Sequence, residues 1–340
     1  MTYDDNTVTN ETQIEQAAAI LRRGGLVAMP TETVYGLGAD ALNGRAVAGI
    51  FRAKGRPMDN PLIVHVADVR TVEKLTSVFP PKAQALADAF WPGPLTLVLP
   101  KSGIVPEQVS AGLDTVGVRF PSHPAAQALI KLAKTPIAAP SANLSGSPSP
   151  TTAQHVYQDL YGRIDAVLDG GACAVGLEST VLSLAQDPPR LLRPGGVTLE
   201  QMEAVIGNIE VDAAVLHRLA RGQKAASPGM KYRHYAPKAK VLLIKADDQK
   251  YIDYVNAHAQ AYAGALCYEE DIPKLSVKTY SLGKKDDSRA QANRLFAQLR
   301  KTDEDGITVV YARCPVTEGM GMAVYNRLIR AAGFEVKTLA

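Results

Sequence analysis

The stretch FRAKGRPMDNPLIVHV, residues 51–66, carries the pattern that decides the fold. Residues 44–54 have helical periodicity, and Gly55 and Pro57 then interrupt it. The run 62–66 is apolar and β-branched, which predicts a strand. A helix that passes through a short break into an apolar strand is typical of proteins that combine helices with a sheet.

The same pattern continues in both directions along the chain. Further strands are predicted at 26–29, 95–99, 116–120, 136–139, 166–168 and 179–184, and helices near 81–90, 124–133 and 198–206. Strands and helices do not alternate strictly, so residues 1–206 predict an α/β domain with a twisted mixed sheet. Residues 239–340 alternate more regularly and predict a smaller, Rossmann-like α/β domain. Residues 207–238 between them predict a linker.

Length and composition limit the class of protein. The chain has 340 residues, and a single core stops growing at about 250–300 residues, so two domains are expected. No apolar run reaches the roughly 18 residues that span a bilayer, and the N-terminus lacks a signal-peptide pattern. Three cysteines far apart exclude a disulfide framework. We therefore expect a cytoplasmic protein that is not bound to a membrane.

The formal net charge of +3 is distributed unevenly. Residues 1–206 contain 16 basic and 19 acidic residues, whereas 207–238 contain six basic and two acidic residues. A slightly acidic first domain is not expected to bind polyanions in general. A cationic cluster within that domain would therefore be a local feature. The linker is basic and aromatic, unlike a passive tether rich in Gly and Ser.

The sharpest chemical pattern is the cationic run Arg52, Lys54 and Arg56. If this segment is extended, the three side chains project to one side and favour an anion between them. Arginine offers a bidentate fork for phosphate or carboxylate, and lysine offers a point charge. The alternative, equally weighted on this motif alone, is a solvated basic end of a helix.

Two hydroxyl-rich segments also follow predicted strands. Residues 140–149, PSANLSGSPS, offer hydroxyls, an amide and backbone N–H groups that suit a phosphate or nucleotide, although an ordinary capping loop is the commoner reading. Residues 30–38 contain Gly36 and Gly38, which imitate a dinucleotide fingerprint. We reject that fingerprint because the glycines begin seven residues after the strand, whereas the motif needs a turn immediately after it.

Single polar residues lie at the ends of other apolar strands. His65 lies on the side of its strand opposite to Leu62 and Val64, where a buried core histidine is the alternative. Arg119 ends a strand at a position where α/β proteins bind ligands, and a surface salt bridge is its alternative. The segments 176–180 and 190–196 have the same form. No cluster has the spacing of a metal site, and no nucleophile elbow indicates a hydrolase triad.

Taken together, these segments resemble one family, the threonylcarbamoyl-AMP synthases with a YrdC-type domain in the long two-domain form. The resemblance is carried, in order, by PTETVYGL (30–37), KGRP (54–57), NPL (60–62), WPGPLT (91–96), VRFP (118–121), PSANLSG (140–146), ESTV (178–181), RPG (193–195) and the linker segment SPGMKYRHYAP (227–237). It implies a YrdC-like domain with a central cationic cavity. Eight ordered motifs and a linker motif are far more specific than any one of them.

The resemblance implies an enzyme that makes threonylcarbamoyl-AMP and pyrophosphate from L-threonine, bicarbonate and ATP. It further implies that the product serves the N6-threonylcarbamoyl modification of adenosine 37 in tRNAs that read codons beginning with A. The family's signature tetrad falls on Lys54, Arg56, Ser141 and Asn143. By the same resemblance, threonine contacts fall on Thr33, His65, Arg119, Ala139 and Ser179. ATP contacts fall on Arg56, Asn60, Thr115, Ser141, Ser149 and Arg193, with Tyr235 and then Tyr232 from the linker.

These residues suggest a reaction that depends on positioning and charge neutralisation. We expect Lys54 and Arg56 to neutralise phosphate charge, Ser141 and Asn143 to orient the nucleotide, and Arg119 to pair with the threonine carboxylate. Mg²⁺ is expected on the ATP phosphates rather than on a protein carboxylate cluster. The linker is expected to act as a lid that excludes water. The tRNA threonylcarbamoyl transferase machinery is the expected partner, and direct contact with tRNA is left open.

Two other functions remain open at this point. A non-catalytic RNA-associated protein would use the basic linker and the cationic groove, but it would spread its basic residues over one face. An enzyme that transfers a carbamoyl group from carbamoyl phosphate would need no threonine. Omitting substrates one at a time separates these possibilities.

Overall fold

The computed structural model describes residues 10–217 and 235–339, which fold into two α/β domains, each built on its own sheet. The first sheet has ten strands: β1 (Val27–Met29), β2 (Gly36–Asp40), β3 (Ile63–His65), β4 (Leu95–Pro100), β5 (Thr115–Arg119), β6 (Ile137–Ala138), β7 (Ala166–Val167), β8 (Thr180–Ser183), β9 (Arg190–Arg193) and β10 (Glu210–Val211). Their order is β10-β9-β8-β4-β5-β3-β6-β2-β1-β7. Parallel and antiparallel neighbours both occur, so the predicted mixed sheet is confirmed.

Helices cover this first sheet. They are α1 (Glu11–Arg22), α2 (Gly44–Lys54), α3 (Val69–Leu75), α4 (Pro81–Phe90), α5 (Glu107–Ser110), α6 (Pro124–Ala133), α7 (Ala153–Leu160) and α8 (Leu199–Ile206). The main core packs α2, α4 and α5 against the sheet, and a second cluster packs α1 against α6. The apolar residues of these helices recur at helical spacing because one face of each helix is buried.

The second domain has five parallel strands: β11 (Lys240–Lys245), β12 (Ala263–Cys267), β13 (Lys278–Ser281), β14 (Val309–Arg313) and β15 (Val336–Thr338), in the order β13-β12-β14-β11-β15. Its helices are α9 (Asp248–Ala257), α10 (Ser288–Glu304) and α11 (Gly319–Ala331). This confirms the expected Rossmann-like second domain. Across residues 10–217 and 235–339, no helix combines the length and the apolar character needed to cross a membrane.

Strand β2 was not predicted from the sequence. Residues 36–40 form β2, which pairs with β1 and β6. A Cβ atom added to Gly38 would lie 2.8 Å from the Ile137 side chain, so the glycine permits close packing between strands. Gly36 and Gly38 therefore lie within a strand and not in a turn before a helix, which agrees with our rejection of a dinucleotide fingerprint.

The helix predicted over 44–54 is confirmed, and the alternative of an extended segment over 52–56 is wrong. Helix α2 continues through Lys54, and Gly55 ends it in the left-handed conformation with φ of 62°. Successive helical residues are rotated by about 100°, so side chains two positions apart point in different directions. Arg52 is consequently exposed, while Lys54 and Arg56 are buried. Only two of the three cations therefore point into the protein.

The predicted linker, 207–238, is described only at its ends. Within it, β10 pairs with β9 and Asp212 caps a single 3₁₀ turn over 213–215. The structure describes the chain again from Tyr235. The expectation that this segment acts as a lid stays a prediction, because most of it, including Tyr232, lies outside the described residues.

Candidate functional site

A cleft opens in the first domain where several of its strands end. Its open space is about 570 Å³, counted out to the mouth. The wall includes nine residues that the sequence analysis assigned to ligands: Thr33, Arg56, His65, Arg119, Ala139, Ser141, Ser179, Arg193 and Tyr235. Residues from positions 33 to 235 thus converge on one space, although the role of each in ligand binding stays a prediction.

Two adjacent parallel strands place a histidine and an arginine side by side. His65 ends β3 and Arg119 ends β5, and the two residues are directly paired in the register. Along β3, Leu62 and Val64 enter the core while Ile63 and His65 face the cleft. This is the alternation that the sequence predicted for the strand.

Arg119 is not a bare cation, because the protein supplies a carboxylate beside it. Its Nη2 lies 2.7 Å from Oε1 of Glu32, and its Nη1 donates to Oγ1 of Thr33 at 2.8 Å. Glu32 is itself held, since its Oε2 accepts the Ser122 N–H at 3.2 Å. These contacts fix the guanidinium, and a guanidinium has five N–H donors, so capacity remains for a ligand carboxylate.

The charge balance around the cleft is nevertheless positive. Within the described residues, the buried cations in or behind the wall include Lys54, Arg56, Arg119, Arg193 and, from the second domain, Arg327. The buried carboxylates near them are Glu32 and Glu178. A cleft bordered mainly by positive charge attracts anions, so this wall suits an anionic ligand.

Lys54 organises the loop after β6 rather than lining the cleft. Its Nζ donates to the backbone oxygens of Ser141 and Asn143, the second at 2.5 Å. The Ser141 hydroxyl donates to Oδ1 of Asn143 at 2.6 Å, and the Asn143 amide donates to the oxygens of Leu144 and Ser147. Burial, followed by repulsion from Arg56, lowers the pKa of Lys54. The ammonium and this amide together hold the loop in one shape.

Arg193 and Ser179 lie on the opposite wall. Nε of Arg193 donates to the Ser179 oxygen at 3.0 Å, and its Nη2 contacts the Ser179 hydroxyl at 3.2 Å. That hydroxyl also lies 2.8 Å from Oγ1 of Thr96. The Ser149 hydroxyl donates to Oε1 of Glu178. Burial raises the pKa of Glu178, but Arg327 and Arg193 outweigh it and hold the pKa below its ordinary value.

Three residues predicted to contact ATP, Asn60, Thr115 and Ser149, do not line the cleft itself. Asn60 is completely buried, and its side-chain Nδ2 and Oδ1 have no hydrogen-bond partner in the part of the chain that the structure describes. Its backbone oxygen accepts from Nη2 of Arg56 at 3.3 Å. Thr115 lines a smaller neighbouring cavity, which shares Ile63 with the main cleft. A buried amide without partners in a native protein points to a ligand or water there.

Tyr235 closes the cleft from the side of the second domain. It is buried, packs on Phe296 at 5.3 Å between ring centroids, and has φ of 64°. The next residue, Ala236, donates its N–H to the Gly146 oxygen at 3.0 Å. The end of the linker is thus attached to the loop that Lys54 holds.

Sequence reasoning missed three charged residues of the site. Glu32 and Glu178 lie inside motifs quoted above, so their positions were visible but their ion pairs were not. Arg327 lies on α11, and its Nε contacts Oε2 of Glu178 at 2.9 Å. No local pattern identifies Arg327, because its partner is 149 positions away along the chain.

We expect His65 to stay neutral across about pH 5 to 8, the range in which free histidine titrates. Burial, followed by the charge of Arg119, lowers its pKa to about 3. The unfolded chain takes up this proton near pH 6.5, so the contribution of His65 to stability falls as the pH drops from about 6.5 toward 3. Histidine-selective carbon-13 NMR should show that the ring resonance missing from His65→Gln does not titrate over this range. A midpoint near 6.5 for that ring would contradict the expectation.

Comparisons with known proteins agree over nearly the whole chain. The family described as "Telomere recombination" (Sua5, YciO and YrdC) matches residues 19–195, and the family "Threonylcarbamoyl-AMP synthase, C-terminal domain" matches residues 197–333. The threonylcarbamoyl-AMP synthase of Bacillus subtilis is 48% identical, over 98% of this chain and 96% of its own length. That of Pyrococcus abyssi is 47% identical, over 96% of each chain.

Solved structures give the same result. The crystal structure of Pyrococcus abyssi Sua5 complexed with L-threonine superposes with a TM-score of 0.92 at 45% identity and covers all of both chains. Escherichia coli YciO matches 57% of this chain and 94% of its own, with a TM-score of 0.52 at 26% identity. The chain therefore belongs to the threonylcarbamoyl-AMP synthase family, in the form that joins a YrdC-type domain to a Sua5-type C-terminal domain.

Proposed function

We propose that this protein makes threonylcarbamoyl-AMP and pyrophosphate from L-threonine, bicarbonate and ATP, for the N6-threonylcarbamoyl modification of adenosine 37 in tRNA. The observation that carries the proposal is full-length similarity to a Pyrococcus abyssi protein solved with L-threonine. The cleft supports it chemically, since buried cations exceed buried carboxylates around a space lined with hydroxyls. Triphosphate, bicarbonate and the amino-acid carboxylate are all anions.

Threonine binds, in this proposal, between the ends of β3 and β5. Arg119 pairs with its carboxylate, and Glu32 keeps the guanidinium turned toward the cleft. Thr33, His65, Ala139 and Ser179 surround the rest of the molecule. His65 is neutral, so it can accept or donate a hydrogen bond without adding charge.

ATP binds across the loop 141–149 and the opposite wall. Arg56 and Arg193 neutralise phosphate charge, Ser141 and Ser149 offer hydroxyls, and the unpartnered amide of Asn60 becomes satisfied. Thr115 and the linker tyrosines, Tyr235 and Tyr232, complete the nucleotide contacts. Lys54 acts with Asn143 by fixing the loop that presents Ser141.

The reaction needs few proton transfers from side chains. Threonine's amine combines with bicarbonate to give a carbamate, with loss of water. A carbamate oxygen then attacks the α-phosphorus, and the bond to pyrophosphate breaks. The site holds the carbamate oxygen in line with the α-phosphorus and the leaving pyrophosphate. Most of the rate acceleration then comes from this positioning and from neutralisation of the phosphate charge. The labile product requires exclusion of water, which we assign to the linker.

We propose that Mg²⁺ binds to the site together with ATP, coordinated by the triphosphate. Within residues 10–217 and 235–339, no group of three or more His, Cys, Asp or Glu could hold a metal ion. The carboxylate that lines the cleft, Glu178, is engaged by Arg327 and Ser149. Mg²⁺ commonly keeps phosphate and water oxygens as ligands, and it would supply charge neutralisation on ATP.

The product is proposed to pass to the tRNA threonylcarbamoyl transferase machinery in the cytoplasm. Direct binding of tRNA is not part of the proposal. The cations of the cleft are buried and local, whereas an RNA-binding face is broad and exposed. A gel-shift titration with tRNA would measure any such contact separately.

The deciding experiment measures pyrophosphate release from ATP while substrates are omitted in turn. We expect release to need both threonine and bicarbonate, and mass spectrometry to detect threonylcarbamoyl-AMP. Carbamoyl phosphate should not replace bicarbonate and threonine. Pyrophosphate release that is indifferent to threonine would refute the proposal, and release driven by carbamoyl phosphate alone would favour the transferase alternative.

A further inference from the structure

Helix α11 of the second domain inserts an arginine into the wall of the cleft. Arg327 has no exposed surface. Its Nε contacts Oε2 of Glu178 at 2.9 Å, its Nη2 donates to the Glu178 backbone oxygen at 3.2 Å, and its Nη1 donates to the Pro194 oxygen at 2.7 Å. One guanidinium therefore joins two segments of the first domain that are distant in sequence.

Both joined segments carry residues of the proposed site. Ser179 follows Glu178 directly, and Arg193 precedes Pro194. Arg193 in turn contacts both the backbone oxygen and the hydroxyl of Ser179. The position of Arg327 thus determines the spacing between a proposed threonine contact and a proposed ATP contact.

The carboxylate of Glu178 extends this connection to the nucleotide loop. Its other oxygen, Oε1, accepts the Ser149 hydroxyl. Without Arg327, Glu178 would be left as a buried carboxylate that has lost its nearest counter-charge, which is strongly unfavourable. Its side chain would then move or take up a proton, and Ser149 would lose its fixed acceptor.

A second arginine of the same domain contacts that loop directly, at the residue before Ser149. Arg300, on α10, is buried, and its Nη2 donates to the Pro148 oxygen at 2.6 Å. Its guanidinium also pairs with Asp159, at 2.8 and 3.0 Å, and Oδ2 of Asp159 accepts the Leu144 N–H. Arg300 therefore supports residues 144–148, whereas Arg327 supports Glu178 and Pro194.

We propose that Arg327 and Arg300 are positioning residues, through which the second domain fixes the geometry of the site in the first domain. This inference rests on the proposed function for its ligands. Arg327 acts on both substrates, because it fixes Ser179 and Arg193 together. Arg300 acts on ATP alone, because it touches only the nucleotide loop and its support.

The test is a double-mutant cycle in the full-length chain, read as dissociation constants for ATP and for threonine by calorimetry. Arg327→Met should weaken both by about 10- to 100-fold, and Arg300→Met should weaken ATP only. Glu178→Gln keeps an acceptor for Ser149 but removes the charge. The loss caused by Arg327→Met should therefore be about tenfold smaller in the Glu178→Gln background.

Arg327→Lys keeps the charge and loses the two-pronged guanidinium. It should therefore bind ATP and threonine more tightly than Arg327→Met does and less tightly than the natural chain does.

Glu200→Ala is the matched control. It removes a contact between the domains at the exposed rim, where Glu200 accepts the Gly319 N–H at 3.3 Å, and it should leave both constants unchanged. Circular dichroism selects a temperature at which every variant is folded.

Three results would overturn the inference. They are unchanged binding by folded Arg327→Met, an equal loss in both Glu178 backgrounds, or an equal loss in Glu200→Ala. Failure of the proposed function is a separate outcome. A natural chain that binds ATP but forms no threonylcarbamoyl-AMP would refute that function, while the ATP constants of the variants would still decide the role of Arg327.

Discussion

Replacing Lys54 by Ala is expected to lower threonine-dependent pyrophosphate release by about 100- to 1000-fold. The substitution removes the ammonium that donates to the backbone oxygens of Ser141 and Asn143. Both oxygens then face the space that the lysine side chain has left. Each buried acceptor that loses its donor costs about 1–3 kcal/mol, so the loop is expected to leave its present shape. The hydroxyl of Ser141 then no longer meets the nucleotide, and an error of about 1 Å is enough to cost 100-fold.

Arg52→Ala is a matched control for this experiment. It removes a cation two positions earlier on the same helix, but Arg52 is exposed and does not line the cleft. Its activity should equal that of the natural chain. Lys54→Arg tests shape, because a fork does not reproduce one ammonium between two oxygens. Near-normal turnover by folded Lys54→Ala would remove this lysine from the mechanism.

The second large effect is expected from Gly195→Ala. A Cβ at this position would lie 2.3 Å from the Thr180 nitrogen and 2.5 Å from the Glu178 oxygen. Both are backbone atoms, so the turn after β9 would have to move away from the start of β8. We expect a loss of about 3 kcal/mol in the free energy of unfolding.

Gly195→Ala should also lower the activity of the molecules that remain folded. The displaced turn carries Arg193 away from Ser179, with which it now makes two hydrogen bonds. We expect KM for both ATP and threonine to rise at least about tenfold at a temperature where the variant is folded. Chemical denaturation and steady-state kinetics measure the two effects separately.

Gly103→Ala provides the comparison for that variant. It makes the same chemical change at a glycine whose added Cβ would meet nothing within 4 Å. Stability and kinetics of this control should match those of the natural chain. If Gly195→Ala behaves like Gly103→Ala, the close approach of the two segments does not matter for the site.

The sequence was sufficient for the elements whose pattern is local. The apolar run 62–66 predicted a strand, and β3 lies within it with both of its faces buried. The helices predicted over 81–90 and 124–133 have the same bounds as α4 and α6. The sequence was insufficient for residues 36–40. Two glycines weaken the strand pattern there, and the reason for them, close packing against the neighbouring strands, is visible only in the structure. The sequence also failed at Arg52, because two-residue spacing has opposite meanings in a strand and in a helix.

The candidate site divides in the same way. The amino-acid sequence by itself determined two α/β domains and the motifs whose residues line the cleft. The spacing of apolar residues, the turn residues and the order of the motifs can all be recognised from short stretches of sequence. Only the tertiary structure decided which charges meet. Glu32 with Arg119, and Glu178 with Arg327, are separated by 87 and 149 positions along the chain. Such pairs form because burial forces a charge to find a partner, and a linear pattern does not say which one.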